Sequence, residues 1–155
     1  MAASAWTLYN DGKRYIGNGT IQLGAGGTGN FKIALFRTSG SATVTNLAIS
    51  TFASLTVAQV SATGGYVAGG KAIAPVTGQW TTGASASQMK FTYTTAGLTF
   101  TASGSSINNI RYAVLYESSA GKLLCYAALS TVQFTVASPN TLTILPAATG
   151  VFTLT

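Results

Sequence analysis

The chain has 155 residues and a mass of 15.7 kDa, with eight Lys+Arg, two Asp+Glu, no His and one Cys, for a formal charge of +6. Without histidine the commonest general base and metal ligand is missing, and a paired-carboxylate site would need both acids, Asp11 and Glu117, in one place. One thiol and no imidazole exclude a zinc or iron centre, so the sequence argues against an enzyme and against a cofactor.

Only 6% of residues are charged, against about 25% in ordinary soluble domains. Their place is taken by 24 Thr, 15 Ser and 18 Gly, an all-β composition in which Thr favours strands and Gly and Ser favour turns. The length suits a single domain over residues 1–155. Trp6 to Ile16 predicts a short N-terminal helix: Leu8, Tyr15 and Ile16 fall at helical spacing, Asn10 and Asp11 can cap it, and Gly17-Asn18-Gly19 closes it. Gly12 opposes that helix by ~1 kcal/mol relative to Ala. Thr20 to Leu23 reads as a brief strand. Residues 24–30 read as a glycine-rich loop, without the Gly-Lys-Ser/Thr ending of a phosphate cradle.

Phe31 to Arg37 is a strand with Phe31, Ile33 and Leu35 on one face and Lys32, Ala34 and Phe36 on the other. Residues 46–55 fit a short helix or an irregular strand equally, because apolar residues fall at both spacings. Gly64 to Lys71 reads as turn, strand and turn. Phe91 and Tyr93, then Leu98 and Phe100, alternate with threonines around a turn at Ala96-Gly97, which predicts a hairpin. Ile110–Tyr116 and Leu123–Leu129 are apolar on both faces and joined by a short polar link, predicting a central antiparallel hairpin. Val132, Phe134 and Val136 alternate, as do Leu142 and Ile144, then Phe152 and Leu154, with Pro139 and Pro146 between runs. Eight to ten short strands with frequent turns predict an antiparallel jelly-roll-like sandwich or small barrel.

The positive charge invites a nucleic-acid reading, but Lys32, Arg37, Lys71, Lys90, Arg111 and Lys122 stand singly and only Lys13-Arg14 is an adjacent pair. Nucleic-acid surfaces concentrate Lys and Arg with stacking aromatics, so specific nucleic-acid binding is not expected; an acidic protein partner fits the charge equally well. No stretch approaches the ~20 apolar residues of a membrane helix, and Met1 to Trp6 does not read as a secretory signal. Cys125 lies in an apolar run and reads as a buried thiol. A Ser/Lys dyad is the one hydrolytic arrangement the inventory permits, and no local motif favours any such pair. So few charges fit equally a chain that hides surface in an oligomer and a monomer coated with Thr and Ser.

Phe91, Tyr93, Phe100, Tyr112, Phe134 and Phe152 take the inward phase of alternating strands and are expected in the core. Trp6, Tyr9, Tyr15 and Trp80 escape that pattern and are candidate interface residues, with Lys13 and Arg14 in the same N-terminal segment. If residues 1–19 order only on binding, they form a docking arm.

Several stretches resemble small virion proteins of tailed bacteriophages. They are Trp6…Tyr9-Asn10…Lys13…Gly19-Thr20-Ile21…Leu23, Phe31 to Phe36, Gly65-Tyr66…Gly69-Gly70 with Trp80, Thr101 to Ile107 leading to Arg111–Tyr116, and Gly150 to Thr155. The resemblance spans nearly the whole chain and implies a capsid decoration or cement protein. It further implies a jelly-roll-like trimer on the outer capsid surface, made in the host bacterial cytoplasm and clamping the major capsid protein. No catalytic, cofactor or metal residues come with it. Two other readings stay open: a tail or fibre component contacting virion proteins or a host glycan through Trp80, and a nucleic-acid-binding module supported only by the charge.

Overall fold

The strand Phe31–Phe36 (β2) is buried on both faces apart from Lys32, because the fold covers both sides of the sheet that contains it. The computed structural model describes residues 5–23, 31–38, 41–73, 80–82, 88–93 and 96–154. β2 pairs with β8 (Tyr112–Glu117), and β8 with β9 (Lys122–Ala128). Two short strands flank them, β1 (Thr7–Leu8) on β9 and β3 (Lys71–Ala72) on β2. The result is a five-stranded antiparallel sheet in the order β1-β9-β8-β2-β3.

One face of this sheet carries Phe31, Ile33, Leu35, Ala113 and Leu115 into the larger core. There it meets three smaller antiparallel sheets. β5 (Met89–Phe91) lies between β4 (Trp80–Thr82) and β12 (Phe152–Leu154), β6 (Leu98–Thr101) pairs with β11 (Thr141–Ile144), and β7 (Ile107–Ile110) pairs with β10 (Phe134–Val136). The other face carries Ala34, Phe36, Tyr112, Val114 and Tyr116. It is covered by α2 (Ser41–Val44) and the 3-10 helix Phe52–Ala58, with the Phe52 ring stacked 4.0 Å from that of Tyr116. The architecture is an all-β sandwich of antiparallel sheets, not closed into a barrel, with a helical cover on one side.

The predicted helix is present as α1 (Asn10–Gly17), shorter at its start because Thr7 and Leu8 pair with Tyr126 and Cys125 instead. Its N-cap is Tyr9 rather than Asn10 or Asp11, which lie inside the first turn. Gly12 has a packing role. A Cβ there would sit 2.5 Å from the Leu124 carbonyl oxygen, so only glycine lets α1 lie directly on β9. Leu124 is the extra residue of a β-bulge, since Leu115 faces Cys125 while Tyr116 faces Leu123. The bulge turns both Leu124 and Cys125 into the larger core and offers the Leu124 carbonyl to the Tyr9 N–H at 3.1 Å.

The β8–β9 hairpin forms as expected. The Phe91–Phe100 hairpin does not: β5 pairs with β4 and β12, whereas β6 pairs with β11. Alternation identified the buried face of each strand and not its partner. Thr20 to Leu23 is not a strand: the Ile21 N–H donates to the Tyr15 carbonyl at 3.0 Å, and Ile21 and Leu23 are buried. The strand expected between Gly64 and Lys71 starts only at Lys71. The turn before it needs Gly70, at φ 76° and with room for no Cβ, which would lie 2.1 Å from the Ile33 oxygen. The loop expected at 24–30 lies outside the described residues.

Candidate docking groove and a basic strand-end corner

The N-terminal segment is built into the fold. β1 extends the central sheet, α1 lies on β9, and Tyr9 is fully buried, its hydroxyl donating to the Val44 carbonyl at 2.7 Å. Burial, with Cys125 and Tyr126 nearby, pushes the Tyr9 hydroxyl pKa far above its ordinary value. Tyr15 is buried, and its ring carries two cations, the Lys122 ammonium 4.4 Å and the Arg14 guanidinium 5.0 Å from its centroid. Arg14 is exposed and paired with Asp11 at 2.9 Å. The aromatic side chains of residues 5–19, Trp6, Tyr9 and Tyr15, thus have an intramolecular place.

Two of the expected interface residues do come together. Trp6 and Lys13 line a groove of about 610 Å³ between the N-terminal segment and the residues leading into β12, with Leu8, Leu47, Gly150 and Val151 on its walls. Trp6 is 9% exposed, and its indole Nε1 is buried without a hydrogen-bond partner. Trp80 contributes backbone to β4 opposite Phe91, and its side chain lies outside the described residues.

The two acids are both engaged locally. Asp11 holds Arg14, and the Glu117 carboxylate accepts the Ser119 and Ala120 N–H groups at 2.7 and 2.9 Å, pinning the β8–β9 turn. Among the described residues no three His, Cys, Asp or Glu come together as metal ligands. Cys125 is fully buried, and burial raises its thiol pKa well above the ordinary range, which keeps it an unreactive thiol. Of the expected core aromatics, Phe91, Tyr93, Phe100, Tyr112 and Phe152 are buried and Phe134 is half-buried.

A feature that sequence reasoning missed lies at one end of the central sheet. Arg37 follows the last residue of β2 and Arg111 precedes the first residue of β8, and Phe36 faces Tyr112 in the register. The two arginines are thus the next positions on neighbouring strands, and the Arg111 N–H donates to the Phe36 carbonyl at 2.9 Å. Both are half-buried, as is Thr38 beside them. The signal in the sequence is a basic residue closing one apolar run and opening another, which means something only once the two runs are known to pair. No family model, curated protein or solved structure matches the chain.

Proposed function

We propose that the chain is a non-enzymatic structural protein of a tailed-phage particle, a decoration or cement protein that binds the outside of the capsid and stabilises the major capsid protein lattice. The observation that carries this reading is the threonine face of β6 and β11. Thr101 lies opposite Thr141 and Thr99 opposite Thr143, and the last two hydroxyls hydrogen-bond each other at 2.8 Å. Thr101 and Thr141 are exposed. The side chains of such a face are uncharged and partly self-satisfied, so covering them with a partner avoids the desolvation penalty that buried charges carry.

The sandwich beneath it supports the same reading, because Leu98, Phe100, Leu142 and Ile144 of these strands are buried in the larger core. The face is therefore rigid. A trimer presents three such faces at once, and simultaneous engagement multiplies weak contacts into tight binding. The resemblance to phage virion proteins supplies the partner, the major capsid protein, and the place, the capsid surface.

The test is co-sedimentation of the purified protein with shells of its phage prepared without it. Saturable binding at a fixed ratio to the capsid subunit, lost when Thr101 and Thr141 are both replaced by Glu, is the expected result. A folded protein that leaves intact shells bare overturns the reading in favour of a tail or fibre component, and a monomer by light scattering at micromolar concentration removes the trimer.

A further inference from the structure

Four side-chain nitrogen or oxygen atoms among the described residues are buried without a hydrogen-bond partner, and three of them belong to residues that adjoin at one strand end: Arg37 Nε, Thr38 Oγ1 and Arg111 Nε. A buried polar group left unpaired is costly, more so when it is charged. Three of the four at one strand end is a site-like concentration. Both guanidinium groups are also held in place. Arg37 Nη2 donates to the Val57 carbonyl at 2.7 Å, and the Arg37 N–H to the Ala58 carbonyl at 2.9 Å. The Arg111 guanidinium stands 5.2 Å from the centroid of the Tyr112 ring.

Neither acidic side chain serves these donors, because Asp11 is held by Arg14 and Glu117 by its own turn. Two guanidinium edges and a hydroxyl form a donor set matched to an oxyanion, which guanidinium binds through parallel N–H bonds. Four of the other six cations are engaged within the chain. Arg14 is paired with Asp11, Lys122 stacks on Tyr15, Lys71 donates to the Thr99 carbonyl and Lys90 to that of Ala148. A polyanion would need a stripe of cations.

We infer that Arg37, Thr38 and Arg111 form a receptor for a single oxyanion group, a carboxylate or a phosphate. The inference stands whether or not the chain decorates a capsid.

The chain has three arginines, Arg14, Arg37 and Arg111, so their Nε–Hε groups give three proton–nitrogen correlations that read the proposed donors directly. Sodium acetate and sodium phosphate are titrated separately into the full chain, against sodium chloride at matched ionic strength. The expected result is saturable movement of the Arg37 and Arg111 signals, with Arg14 following the chloride control. Saturation by acetate identifies a carboxylate site, and saturation by phosphate alone a phosphate site. Arg111→Lys should abolish saturation at the Arg37 signal, and Thr38→Val should weaken binding about tenfold or more, with the backbone spectrum reporting that each variant is folded. No saturation with either anion, or equal movement of all three arginines, overturns the assignment and leaves ordered water as the partner of these donors.

Discussion

The N-terminal segment and the strand-end corner look alike in composition and behave oppositely. Both place aromatic and basic residues side by side, Tyr9, Lys13, Arg14 and Tyr15 in one and Arg37, Arg111 and Tyr112 in the other. In the first the hydrogen-bonding demands of Tyr9 and Arg14 are met within the chain: the Tyr9 hydroxyl by Val44, its N–H by Leu124, and the Arg14 guanidinium by Asp11. In the second, three buried side-chain atoms have no partner, against one in the first, the Trp6 indole Nε1. The difference teaches that residue types that could bind a partner are a weak guide, whereas unmet hydrogen-bonding demand held in a fixed geometry is a strong one.

The largest expected effect is alkaline unfolding, to which Tyr9 contributes and the strand-end corner does not. Burial raises the hydroxyl pKa of Tyr9, Tyr66, Tyr93 and Tyr116 and the thiol pKa of Cys125, with Tyr66 pushed up to about 12. Each group is neutral when protonated, and a folded-state value above the unfolded one means the native state holds its proton more tightly. Their stabilisation is therefore complete below the unfolded values of 9.0 for the thiol and 10.0 for tyrosine, and falls as pH rises through the folded values. Circular dichroism should be constant from neutral pH to about 9 and then collapse together with tyrosinate absorbance. Tyrosinate forming fully by pH 11 with the fold intact would break the argument.

Next in size is Tyr9→Ala, which should cost about 4 kcal/mol by urea denaturation, as expected for emptying a buried aromatic site. Tyr9→Phe should cost only about 1–2 kcal/mol, by leaving the Val44 carbonyl unpaired. A loose arm would make both changes nearly silent. Gly12→Ala should destabilise by about 2 kcal/mol in spite of alanine's better helix propensity, because its Cβ meets the Leu124 oxygen. The smallest effect has the opposite sign. Thr38→Val, in buffer without carboxylate or phosphate, should raise stability by about 1 kcal/mol, since it removes a buried hydroxyl that has no partner. A loss at Thr38 comparable with that at Tyr9 would erase the contrast between the two regions.

Legibility in the sequence followed distance along the chain. The β8–β9 hairpin could be read because both apolar runs and the turn that Glu117 pins are adjacent. The burial of Phe91 and Phe100 could be read from alternation, but their pairing could not. Leu98 meets Ile144 and Phe91 meets Phe152, choices made by the packing of distant strands rather than by the turn at residues 96–97. The second core was hidden for a similar reason, since nothing local says that residues 41–58 will cover the Phe36 and Tyr116 face. Gly12 counted against a helix by propensity, and the structure shows a close backbone approach that requires it. The Arg37–Arg111 corner depends on the β2–β8 register, so it exists only in the fold.

The bulge at Leu124 also sets a timetable for synthesis. Thr7 and Leu8 find their strand partners at Tyr126 and Cys125, and α1 rests on the same strand. At about 5–20 residues per second a ribosome needs roughly 6–24 s to make the intervening stretch of about 120 residues. Throughout that interval Tyr9 and Tyr15 have been made and the strand they pack on has not. A chain interrupted before β9 leaves these two aromatic side chains without that strand near its start, where a chaperone or a protease meets them first.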